Sequence, residues 1–178
     1  MEFSENDIGY MAAILDGEGS INFSTTGGWR ACVSAVCNSN PLIISRVESI
    51  LDSWGIQYVT RSTHVHFWHV DIKGRCSNKK RFLEIIFNSL SGKKEQARLM
   101  IKYMARRGDR RFVRISEMDK AIAIRVKQLN RLNRTGTVET AREAFLELVE
   151  EVKIQSELFG DKESPAEMPG PTLIKKQA

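Results

Sequence analysis

The segment Met11-Ala12-Ala13-Ile14-Leu15-Asp16-Gly17-Glu18-Gly19 limits the possible folds more than any other stretch of the chain. Ile8, Met11, Ala12 and Leu15 recur at helical spacing, and Ser4 with Asp7 offers a capping pair at the start. Gly17 and Gly19 then stop the helix. Ala12 and Ala13 are small enough to let another helix approach closely. Asp16 falls in the last turn, where the helix dipole disfavours negative charge, and Glu18 lies just beyond it. Two carboxylates at such an end need compensation. A hard divalent cation such as Mg²⁺ would supply it; spacing alone also allows a solvated acidic turn.

The stretch after this helix narrows the choice. SINFS and WRACVSAVC read as strands, separated by Thr25-Thr26-Gly27-Gly28, a hairpin signal. Asn40-Pro41 opens a helix that runs to Gly55, with Asn as the cap and Pro at the first helical position. IQYVTRS and HVHFWHVDIK form a second strand pair, and Ser77 is placed to cap the helix NKKRFLEIIFNSL. The order is αββαββα, an α+β pattern with helices on one face of an antiparallel sheet. Three further helices are expected: KKEQARLMIKYMARR up to Gly108, one capped by Ser116 and Asp119, and one from Thr137 to Gly160. This gives a domain over residues 1–160, with a core at 4–107, C-terminal helices at 116–160 and a Pro-rich disordered tail at 161–178.

The motif and the order together resemble the LAGLIDADG homing endonuclease family, in the variant whose motif ends in GEG. The resemblance spans roughly residues 7–160, with Met11 and Ala13 standing where Leu and Gly are usual. It implies a saddle-shaped sheet and a site-specific double-strand DNA endonuclease, intron-encoded and dependent on Mg²⁺ or Mn²⁺. One motif per chain implies a homodimer on a near-palindromic target. The interface would use Met11, Ala12, Leu15 and Asp16. By the same resemblance Glu18 binds the catalytic metal with help from the Gly17 carbonyl. Lys93, before Gln96-Ala97, is the pocket lysine, with Lys94 as the alternative. Asn38 orders solvent. The arginine that some relatives carry after this point has no counterpart in Pro41-Leu42-Ile43, and Arg46 lies too far along to replace it.

A sheet lying in a DNA major groove presents every second side chain to the bases. Alternation predicts Asn22, Ser24 and Thr26 on one strand, and Thr60, Ser62, His64, His66 and Trp68 on the second hairpin, with Arg30 and Arg61 as further contacts. His64, His66 and His69 do not complete a zinc set. Charge agrees with a polyanion partner. Residues 93–134 hold fourteen Lys and Arg against four Asp and Glu, whereas the flanking segments are net acidic. No apolar run approaches the ~20 residues of a membrane span, so no membrane partner is expected. Three cysteines without CxxC spacing and a polar, acidic start predict a reduced intracellular protein that is not secreted. An intron-RNA-binding maturase and a non-catalytic DNA-binding regulator are the rival readings.

Overall fold

A computed structural model describes residues 3–24, 30–64, 66–109 and 115–132. Its elements run α1 (Glu5–Glu18), β1 (Ser20–Ser24), β2 (Arg30–Asn38), α2 (Pro41–Ser53), β3 (Tyr58–His64), β4 (Phe67–Ile72), α3 (Cys76–Ile86), a 3₁₀ turn (Phe87–Ser89), α4 (Lys94–Arg107) and α5 (Glu117–Leu132). The αββαββα order is present. The hairpin turn at 25–29, the helix expected from Thr137 and the tail at 161–178 lie outside the described residues. The chain divides at Arg131, and the second unit, Leu132–Ala178, is almost wholly in that undescribed part.

The four strands pair antiparallel in the order β1-β2-β4-β3. Helices cover one face. Met11 and Leu15 of α1, Val47 and Leu51 of α2, Phe82, Leu83 and Ile86 of α3, and Met100 and Met104 of α4 meet Ile21, Val33, Val36, Val70 and Ile72 in one apolar core. α5 lies beside β1, where the Asn130 side chain donates to the Ile21 carbonyl at 2.8 Å. That bond satisfies an acceptor on an edge strand that no fifth strand covers among the described residues.

Most local signals act as expected. Asn40 accepts from the Leu42 N–H at 2.9 Å ahead of Pro41, and Gly55 takes a positive φ of 63° after α2. Ser116 and Asp119 bond reciprocally, side chain to backbone, in a capping box. Two caps differ. Ser4 precedes α1 but makes no side-chain bond. α3 starts at Cys76, ahead of the expected Ser77 cap, because Asp109 reaches back from the end of α4 to accept the Ser77 N–H at 2.9 Å.

Gly19 sets how closely α1 meets the sheet. A Cβ there would sit 2.5 Å from Leu15 Cδ1 and 2.7 Å from the carbonyl oxygens of Ser34 and Ala35. The main chain of β2 lies where a methyl group would have to go. Gly19→Ala is therefore expected to destabilise the fold by about 1–3 kcal/mol, the usual cost of overpacking. A urea midpoint equal to wild type would show that α1 can lift without loss.

Candidate functional site

The carboxyl end of α1 and the amino end of α4 hold each other. The Asp16 carboxylate accepts from the backbone N–H groups of Ser91 (2.7 Å), Gly92 (3.0 Å) and Lys93 (2.8 Å). In return the Lys93 ammonium donates to the carbonyls of Leu15 (2.9 Å) and Asp16. Each charge sits at the helix end whose dipole favours it. Gly19 N–H, shared between the Ile14 and Leu15 carbonyls at 3.1 Å each, completes the cap. Asp16 is thus committed to holding the α4 segment, whereas Glu18, the last residue of α1, is exposed.

Does this end fit a divalent cation? Among the described residues no three of His, Cys, Asp and Glu cluster closely enough to hold one. A single chain offers the Glu18 carboxylate and the Gly17 carbonyl. Mg²⁺ commonly takes one or two protein carboxylates and fills its remaining positions with water and phosphate oxygens. The donors fit that pattern as a partial set.

The interface residues expected on α1 require correction. Met11, Ala12 and Leu15 are wholly buried in the chain's own core. They belong to the same buried cluster as Ile21 and Val36 of the sheet. The exposed stripe is instead Gly9, Ala13 and Gly17, spaced by four. Among the described residues a Cβ on Gly9 or Gly17 would meet nothing within 4 Å, so packing against them does not explain these glycines.

The other sheet face forms an open groove of about 450 Å³, lined by Ser20, Asn22, Cys32, Ser34, Arg61, Ser62, Thr63, His69 and Asp71. Cross-strand register shows its rows. Ser24 lies opposite Arg30 and Asn22 opposite Cys32. Ser20, Ser34, Asp71 and Val59 form one row across all four strands, and Cys37, His69 and Arg61 form another. Asn22, Ser24 and Arg30 therefore share one face, and Arg61, whose facing the sequence left open, lines the groove with Ser62. Ser62 reaches it at the irregularity before His64, although its register partner is Trp68. Thr26 and the side chain of His64 lie outside the described residues.

Thr60 and Trp68 are on the opposite side. Thr60 pairs with buried Val70 and gives its hydroxyl to Glu48 of α2, and Trp68 packs on the core. Tyr58, two residues before Thr60, likewise donates to Asp52 at 3.2 Å. The alternation for this hairpin is thus one residue out of phase. Glu48 and Asp52, one helical turn apart on α2, were the sequence signal for it. His66 occupies the turn itself at φ 70°, exposed, its ring edge toward Trp68. The groove residues that alternation missed are Ser20, Cys32, Ser34, Thr63, His69 and Asp71, with Cys37 opposite His69. Cys37 Sγ lies 3.3 Å from His69 Nε2. Burial, with smaller contributions from Glu18 and Asp71, pushes its thiol pKa up.

Asn38 accepts the Asn40 N–H at 2.7 Å through its amide oxygen, which fixes the orientation of the side chain. Leu42 is 78% exposed in the first turn of α2, and Arg46 stacks its guanidinium 3.9 Å from the Tyr10 ring of α1.

No family model and no curated protein sequence matches this chain. Solved structures do. The described fold matches that of solved homing endonucleases. One match is the homing endonuclease I-CvuI in complex with the I-CreI target in the presence of 2 mM Mg, with the DNA not cleaved. Its TM-score is 0.50 at 17% identity, over 82% of this chain and 98% of that one. Another is I-CvuI in complex with its own target in the presence of 2 mM Ca, with a TM-score of 0.52 at 18% identity and the same coverage.

Burial lowers the pKa of Lys93, partly opposed by Asp16 and then Glu18. A lysine whose folded value lies below its unfolded one costs stability while charged. That cost is relieved as pH rises through the folded value toward about 10.5. The stability of wild type relative to Lys93→Met should therefore increase as pH rises toward about 10.5 in urea titrations. A difference that stays flat or falls would contradict the burial of this ammonium.

Proposed function

We propose that two copies of this chain form a divalent-metal-dependent, site-specific DNA endonuclease, intron-encoded and acting on a near-palindromic duplex. The observation that carries this reading is the placement of one exposed carboxylate, Glu18, at the end of a helix whose outward stripe is Gly9, Ala13 and Gly17. Glycine within a helix costs about 1 kcal/mol relative to alanine. Two such glycines with open space beside them suit the close approach of a second α1. A two-fold axis there would bring two Glu18 carboxylates together, repelling unless cations lie between them.

The groove supports a nucleic-acid partner. Its serines, asparagine, histidine and arginine offer hydrogen bonds to base edges, and the fold is one whose solved relatives hold DNA targets. Bound Mg²⁺ or Mn²⁺ would stabilise the attacking and leaving oxygens of an in-line displacement at phosphorus. The chain's own part is to present the Glu18 oxygens and the Gly17 carbonyl and to keep α1 in place through Asp16. Lys93 sets a positive charge beside that helix end. While it bonds the Leu15 and Asp16 carbonyls, its effect on a scissile phosphate is that of a nearby charge.

Glu18→Gln should lower cleavage of a supercoiled target by about 100-fold or more while specific binding survives. Normal cleavage by this variant would remove Glu18 from the active centre. Association is tested separately. Ala13 is exposed in the single chain, so Ala13→Arg should leave the far-ultraviolet circular dichroism of the folded chain nearly unchanged while giving a monomer by light scattering and abolishing double-strand cleavage. A wild-type monomer that cuts both strands would overturn the two-copy arrangement.

A further inference from the structure

We infer that Arg61 and Asp71 act as a guanine-reading pair in the groove, with Asp71 as the residue that positions the guanidinium; this rests on the DNA-binding reading above. Asp71 is out of place on a surface meant for a polyanion. It sits on β4, a central strand, in the row that crosses all four strands, where a carboxylate opposes phosphate. Its carboxylate accepts from Arg61 Nη2. The contact is diagonal: register sets Arg61 opposite His69, and Asp71 opposite Val59. β3 is the edge strand, so the ion pair draws the arginine inward over β4 instead of leaving it at the rim. The acid is largely covered, at 22% exposure, while the guanidinium remains 66% exposed.

Two consequences separate base reading from phosphate binding. The pair carries no net charge, so it adds little to counter-ion release, and an arginine meant for phosphate gains nothing from an adjoining carboxylate. What Asp71 does add is direction. An arginine on an edge strand is long and mobile, and a fixed guanidinium loses less freedom when it bonds. The acceptor pair that a guanidinium fork matches in the major groove is O6 and N7 of guanine. Ser62 and His69 flank the pair and complete a polar surround of the kind that a base edge requires.

The test is selection of bound sites from a randomised palindromic duplex library. Affinity is then measured over a range of salt on the selected site and its single-base variants. Wild type should prefer guanine about 10-fold or more at one symmetric pair of positions. Arg61→Ala should erase that preference alone, keep the others and leave the slope of log affinity against log salt unchanged. Retained preferences elsewhere report an intact fold. Asp71→Asn should reduce the guanine preference at least about threefold while non-specific affinity holds or rises. The inference is overturned if Arg61→Ala weakens all sequences alike with a slope shallower by about one, the mark of a phosphate contact. It is overturned equally if Asp71→Asn leaves discrimination intact. A wild-type protein that selects no sequence would instead overturn the DNA-binding reading, and the pair with it.

Discussion

The reciprocal bond between Asp16 and Lys93 is the interaction on which the rest of the arrangement depends. A helix leaves N–H groups orphaned at its start and carbonyls at its end, and α1 and α4 meet at such opposite ends. One carboxylate satisfies three N–H groups of the segment entering α4, and one ammonium satisfies two carbonyls of α1. The two residues are 77 positions apart, so the contact closes most of the described chain into one loop. It also divides the acidic end of α1 by task. Asp16 is structural because both its oxygens accept from the α4 segment, and Glu18, at the last position of α1, is exposed.

The sheet separates two chemistries in a similar way. Its helix side is apolar except where Tyr58 and Thr60 find acids on α2, and its outer side is a field of small polar groups around one ion pair. Irregularities between Ser34 and Val36 and between Ser62 and His64 interrupt strict alternation. Because of the first, Ser34 and Cys37 share the outer face although they are three positions apart, an odd offset. The outer face is therefore phased in sections, each locked by its own neighbours.

Features that depend on adjacent residues were legible in the amino-acid sequence. Asn40-Pro41, Gly55 and the Ser116–Asp119 box specify helix ends through bonds that span only a few positions. The element order came from such punctuation. Two features were not legible, for a common reason: periodicity identifies a face without saying what covers it. The apolar side of α1 reads equally well as core or as interface, and Met11, Ala12 and Leu15 went to the core because β2 lies against them. The β3–β4 hairpin alternates acceptably in either phase, and only the distant Glu48 and Asp52 decide between them. Of the candidate site, the motif acids and Lys93 were visible from resemblance, whereas Asp71 and His69 required the register.

Gly19 also has a mechanical role. Main-chain atoms of β2 stand where its side chain would project, so the junction between α1 and the sheet is a hard stop and not a spring. Side chains in a core can yield by changing rotamer, but a main-chain carbonyl oxygen moves only with the backbone of its strand. The position of Glu18 relative to the groove is thereby gauged by atomic radii, one residue away. Placement errors of about 1 Å can cost a reaction on the order of 100-fold. The tolerance of the whole surface is set at the one place in the junction where the chain has no side chain at all.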